Sequence, residues 1–215
     1  MKKHKNLVFI FSDQQRYDSM ACYGNDWIKT PNLNALSEEA FVFERAYVSQ
    51  PVCTPARATI VTGLYPHTAG PTLNAIPLPP EKKSIAEHLP EDYTTAWFGK
   101  WHLGNEGNAQ HGFQHWITTQ DDMSRFFEGI EGEPSKSDYH NYLLEKGYKP
   151  DATLAKGAAY LPKAIGQNVP DDWEAFSQFA RSELPAEDSM AHFLGRKASE
   201  FIRDHSDEPF VLYVS

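Results

Sequence analysis

A charged opening, Met1–Asn6, gives way to an apolar run, Leu7–Phe11, that is closed at once by Ser12 and Asp13. Apolar residues at successive positions over so short a stretch predict a strand buried on both faces of a parallel sheet. Asp13 then falls just beyond its carboxyl end, where open α/β sheets bind ligands. Thr30-Pro31 reads as helix cap and first helical residue, and Leu33, Leu36 and Ala40 carry the helix to about Ala40. Phe41 through Val48 predicts a second strand. Thr54-Pro55 repeats the cap-and-proline signal, and Ala58, Ile60, Val61 and Leu64 follow at helical spacing until Gly63 or Pro66 ends the segment. Cys53 therefore lies at or just before a helix N-terminus.

Ser84–Leu89 predicts a helix stopped by Pro90, and Thr94–Phe98 a third strand that runs directly into Gly99-Lys-Trp-His-Leu-Gly104. From Asn105 to about Leu184 the pattern loses its period, which predicts an irregular insertion of loops and short helices within a single domain, residues 1–215. Met190, Phe193, Leu194, Ala198, Phe201 and Ile202 restore helical spacing, and Pro209–Val214 predicts a last buried strand. Strands alternating with helices give an α/β fold: a doubly wound, mostly parallel sheet flanked by helices. The final strand meets Ser215 with nothing after it, so the sheet is expected to be truncated at the C-terminus, with an open edge beside Val214.

Charge narrows the function. With 20 Lys+Arg against 29 Asp+Glu the net charge is -9, which disfavours nucleic acid or an anionic membrane as the partner but leaves room for a small basic pocket. Leu7–Phe11 is too short for the apolar core of a signal peptide, and no segment approaches the ~20 apolar residues of a membrane span; the expected location is the cytoplasm. Cys22 and Cys53, the two cysteines, build neither a disulfide framework nor a thiolate zinc site.

Cys53-Thr-Pro-Ala-Arg57 places Arg57 one helical turn beyond Cys53, so the guanidinium can reach back toward it, and a helix N-terminus and an arginine both favour negative charge there. A small buried cysteine ahead of a proline-started helix is the plain alternative. A thiolate phosphatase loop would need five residues between Cys and Arg and a glycine-rich cradle, where this chain has three and a proline. Lys100 and His102 alternate along what reads as an extended segment, which puts both side chains on one face; a solvated lysine and a packed histidine flanking Trp101 is the plain alternative. His111 and His115 stand four apart, but Gly112 weakens a helix there and no third zinc ligand is evident. His67 reads as a turn residue, Arg16 as a surface or salt-bridged one, and Cys22 as structural.

Cys53-Thr-Pro-Ala-Arg57 with Ala58-Thr-Ile-Val-Thr-Gly63-Leu-Tyr-Pro-His67, Asp13-Gln14 after the first strand, and Gly99-Lys-Trp-His-Leu-Gly104 after a later one together resemble the type I sulfatases, within the alkaline-phosphatase-like superfamily. The likeness is close over about residues 6–115 and weak over the last helix and strand. It implies a sulfuric ester hydrolase releasing sulfate from a sulfated sugar or aryl ester. It further implies that Cys53 is oxidised by a maturation enzyme to formylglycine, whose hydrate attacks sulfur with one hydroxyl and expels sulfate by deprotonation of the other. Arg57 would hold the diol, Lys100 a sulfate oxygen, and His102 the diol as hydrogen-bond partner or base. A divalent cation, Ca2+ with Mg2+ as the alternative, would be held by Asp13, Gln14 and the modified Cys53; Gln14 stands where the family commonly has a second Asp, so one negative charge is missing. The competing expectations are a phosphodiester or phosphonate monoester hydrolase of the same superfamily and a catalytically incomplete fragment.

Overall fold

Four parallel strands, β1 (Leu7–Ile10), β2 (Thr94–Phe98), β3 (His115–Ile117) and β4 (Phe210–Val214), form one sheet in the order β1-β4-β2-β3. The computed structural model describes residues 5–120, 136–148 and 184–215. Five α-helices accompany the sheet among these residues: α1 (Pro31–Glu39), α2 (Cys53–Thr62), α3 (Pro66–Ala69), α4 (Asp138–Glu145) and α5 (Met190–Asp204).

Strand alternation sorts the core into two layers. Trp97, Val211 and Tyr213 point to one face, where Ala58 and Val61 of α2 and Ala69 of α3 meet them together with Trp101, Leu103 and Phe113. Ala96, Phe98, Phe210 and Leu212 point to the other, against Tyr139 and Leu143 of α4 and Phe193, Leu194, Ala198 and Phe201 of α5. Helical cover on both faces of a parallel sheet is the doubly wound arrangement expected. On the α5 side, buried Asp188 accepts from the hydroxyls of Tyr142 and Tyr148, while its carbonyl accepts from Tyr139 at 2.8 Å, so α4 and the start of α5 are tied together. Ser189 caps α5 by accepting from the His192 N–H.

Several expectations need correction. The predicted strand from Phe41 to Val48 is irregular chain, with Phe41 83% and Tyr47 88% exposed; its apolar, aromatic composition is strand-like, but a strand exists only where a neighbour's backbone pairs with it. Ser84–Leu89 forms only a 3-10 turn, Ile85–His88, closed by a capping box between Ser84 and Glu87. β1 is not buried on both faces: Ile10 is 76% exposed, and among the described residues β1 pairs with β4 alone. The edge expected beside Val214 does not exist, since β4 lies between β1 and β2. Within the insertion, α4 is a short helix of the kind expected, while β3 is a strand that the aperiodic stretch concealed; its residues 121–135 and 149–183 lie outside the described residues. No helix among the described residues is long and apolar enough to cross a membrane.

Candidate active site

Backbone bonds at the carboxyl ends of the strands fix where the functional loops leave the sheet. The Phe11 N–H donates to the Val214 carbonyl at 2.8 Å, Ser215 to Phe98 at 2.8 Å, Gly99 to Ile117 at 2.7 Å and Lys100 to Ser215 at 3.3 Å. Gly99 has a φ of +107°, and a Cβ there would sit 1.8 Å from the Ser215 carbonyl oxygen. Only glycine permits that crossing.

Helix α2 begins at Cys53, two residues earlier than the Pro55 signal suggested, with Val52 in the cap position. Two of its first-turn donors are thereby accounted for: Pro55 has no N–H, and the Thr54 N–H donates to Asn74 Oδ1 at 3.0 Å. The Thr54 hydroxyl donates to the His102 carbonyl at 2.9 Å, which joins this helix start to the loop after β2. Gly63, at φ 72°, ends the helix by donating its N–H to Thr59.

Lys100 connects the two remaining sides. Its ammonium lies 2.8 Å from Asp13 Oδ2 and 3.8 Å from Cys53 Sγ. Partial burial pushes the Asp13 carboxyl up, but bonded Lys100 and nearby Arg57 together hold it below its ordinary value. Arg57 is 1% exposed; Nη1 donates to the Lys100 carbonyl at 2.5 Å and Nη2 stands 3.7 Å from Asp13 Oδ1, too far for a hydrogen bond. Nε and Nη2 are buried donors with no hydrogen-bond partner among the described residues. Burial lowers the Arg57 pKa against the opposing pull of Asp13, Glu106 and Cys53. The guanidinium therefore serves the Lys100 loop and Asp13 first, and Cys53 through its charge.

His102 is not on an extended segment with Lys100. It adopts φ 57°, in the left-handed region, so a turn brings the two together where the strand rule had placed them on a common face. Burial first, then the charges of Lys100 and Arg57, lower its pKa to about 4, which leaves the ring neutral at neutral pH. Asp13, Cys53, Arg57, Lys100 and His102 are all gathered at one end of the sheet. Gln14 follows Asp13 in exposed chain with φ 59°.

Sequence reasoning passed over Asn74 and Glu106. Glu106 is 1% exposed and accepts from the N–H groups of Trp101 and His102; burial raises its pKa to about 7 despite those bonds. No spacing rule finds such an acceptor, since its partners are backbone groups in a turn. His111 and His115 do not form a pair: His111 packs on Trp101, and His115 on Phe201 and His205. His67 stacks on Tyr65, Arg16 pairs with Asp18, and Cys22 is exposed.

No group of three or more His, Cys, Asp or Glu side chains with metal-binding geometry occurs among the described residues. The donors at the candidate cation position fit calcium in kind, a carboxylate at Asp13 and an amide at Gln14, but calcium takes about six to eight oxygens. Asp13 faces two cationic side chains, so a cation there would compete with the Lys100 ammonium for the carboxylate.

A sulfatase family model matches residues 5–215. An ulvan-active sulfatase of Formosa agariphila is 43% identical over 119 residues, which cover 52% of this chain and 23% of that protein. The N-acetylglucosamine-6-O-sulfatase of Bacteroides thetaiotaomicron is 31% identical over 162 residues, 74% of this chain and 28% of that protein. The chain thus spans about a quarter of the length of these relatives. A phosphonate monoester hydrolase from Silicibacter pomeroyi superposes with a TM-score of 0.71 at 22% identity, over 97% of this chain and 40% of that one; this is a likeness of fold.

Proposed function

The chain belongs to the sulfatase family, and from that premise we propose that it forms the N-terminal part of the catalytic domain of a sulfuric ester hydrolase acting on a sulfated carbohydrate through a formylglycine at Cys53. The observation that carries this reading is the convergence of Cys53, Lys100 and Arg57: an ammonium 3.8 Å from Sγ, and a buried guanidinium with two donors unmatched. Buried donors without acceptors are rare and mark positions where an anion or polar ligand belongs. The sugar-directed relatives support the substrate class.

When present, the formylglycine hydrate would supply one hydroxyl for attack on sulfur, breaking the S–O bond so that the alcohol leaves with a proton, and a second hydroxyl whose deprotonation breaks the C–O bond, releases sulfate and restores the aldehyde. Lys100 binds a sulfate oxygen and offsets its charge. Arg57 offers its unmatched N–H groups to the oxygen that replaces Sγ. His102, neutral at neutral pH, accepts a proton at a ring nitrogen. Asp13 and Gln14, with the oxygen derived from Cys53, would hold a divalent cation, Ca2+ before Mg2+, which would offset negative charge on the sulfate. A formylglycine-generating enzyme is the implied maturation partner.

The test is peptide mass spectrometry at Cys53 in protein made with a competent maturation system, coupled to turnover of a chromogenic aryl sulfate and a matched phosphodiester. An aldehyde at Cys53, not Cys22, with sulfate-ester turnover is expected from the intact protein, and little or none from residues 1–215 alone. An active preparation with an unmodified thiol at Cys53 overturns the mechanism, and preference for the phosphodiester overturns the reaction.

A further inference from the structure

We propose that Glu106 is a positioning residue of this site, a carboxylate clamp that fixes the Lys100–His102 turn in its working shape. Its two oxygens divide the work: Oε2 accepts from the Trp101 N–H at 3.1 Å and Oε1 from the His102 N–H at 2.5 Å. Two successive N–H groups turned to one side, with His102 at φ 57°, make a concavity suited to an anion. A side chain with a Cβ rarely stays in that backbone region without support. Glu106 is itself anchored, because its carbonyl accepts from Trp116 Nε1 at 2.8 Å and so fixes it to β3.

From its other side the same turn is held by α2, through Arg57 on the Lys100 carbonyl and Thr54 on the His102 carbonyl. The turn that presents Lys100 and His102 is thus gripped between α2 and Glu106. An amide in place of the carboxylate could accept only one of the two N–H groups and would face the other with a donor. The arrangement requires two acceptors in one buried group, which carboxylate supplies beside the Arg57 charge.

The kinetic arm of the test rests on the sulfate-ester reading; the spectroscopic arm does not. In the intact, aldehyde-bearing protein, assayed well below each variant's melting temperature, Glu106→Gln is expected to lower kcat about 10- to 100-fold, the scale of a small misplacement of catalytic groups, with KM nearly unchanged. Glu106→Asp, whose arm is too short to span both N–H groups, is expected to fall at least as far and serves if the first variant does not fold. The amide proton resonances of Trp101 and His102 should move upfield in both variants. A folded variant with parental kcat, or with both amide resonances unmoved, overturns the proposal. Absence of sulfate-ester turnover in the parent defeats the functional reading instead, and the amide resonances still decide the clamp.

Discussion

On the Cys53 side of the candidate site the motif residues are tied to the core, whereas on the Asp13 side the chain leaves a strand that, among the described residues, is paired on one side and partly exposed. Cys53 starts a helix whose first turn is bonded to Asn74 and to the His102 carbonyl. Arg57 is fully buried, and Trp101, 0% exposed, packs edge-on against Trp97 at 4.8 Å. Asp13, by contrast, follows a strand whose Leu7, Val8 and Ile10 are 41%, 40% and 76% exposed, and its side chain is held by Lys100 and Arg57. The Cys53 side is preorganised by helix and core contacts, whereas Asp13 is held by two side chains reaching to it from other segments. Preorganised dipoles and charges stabilise a developing anion with little rearrangement, so the first side should be intolerant of change and the second more forgiving.

Replacing the proposed nucleophile should produce the largest effect. Cys53→Ala in the intact protein is expected to abolish turnover while leaving the melting temperature close to the parent's, since the half-buried side chain stands at a loop-helix junction. Next, Lys100→Ala and His102→Ala should each lower turnover by at least ~100-fold, as loss of one positioned donor or acid-base group does. Near-parental rates in both would return them to a solvated lysine and a packed histidine.

The two sides should also differ in stability. Denaturant unfolding of residues 1–215 is expected to show Trp101→Ala destabilised by about 3–5 kcal/mol, the cost of emptying a large core position. Ile10→Ser on the exposed strand should fall within about 0.5 kcal/mol of the parent. Equal losses at the two positions would remove the distinction.

The smallest and most specific effect is one of pH. As pH falls from about 7 toward 4.5, folded Glu106 takes up a proton that the unfolded chain does not yet bind, so this group adds stability on acidification and withdraws it as pH rises through about 7. His102 acts in the opposite sense: between 6.5 and about 4 the unfolded chain binds a proton that the buried ring refuses, so stability is lost as pH falls. From about 6.5 to 4.5 the two contributions offset each other. Unfolding free energies across that window should rise on acidification in His102→Gln, relative to the parent, and fall in Glu106→Gln. Parallel pH curves for parent and variants would contradict the burial of both groups.

Local signals made much of this protein legible in its sequence. Thr94–Phe98 and Pro209–Val214 announced β2 and β4 because a buried parallel strand needs consecutive apolar residues, and Leu7–Phe11 announced β1 by the same run although its faces are partly exposed. Phe193, Leu194, Ala198 and Phe201 announced the buried face of α5 by their spacing. Cys53, Arg57, Lys100, His102 and Asp13 stood out because each lies in a short motif beside a strand end or helix start. What the tertiary structure alone decided are the relations between segments distant in sequence. Phe41–Val48 is apolar like a strand but joins no sheet among the described residues, and β4 entered between the apolar run at Leu7 and β2. His102 turned left-handed against the extended pattern, and Glu106, unremarkable in a polar stretch, became the acceptor that holds it. Periodicity records which side chains want to leave water; which backbone groups remain to be satisfied, and by whom, is decided only when the elements meet.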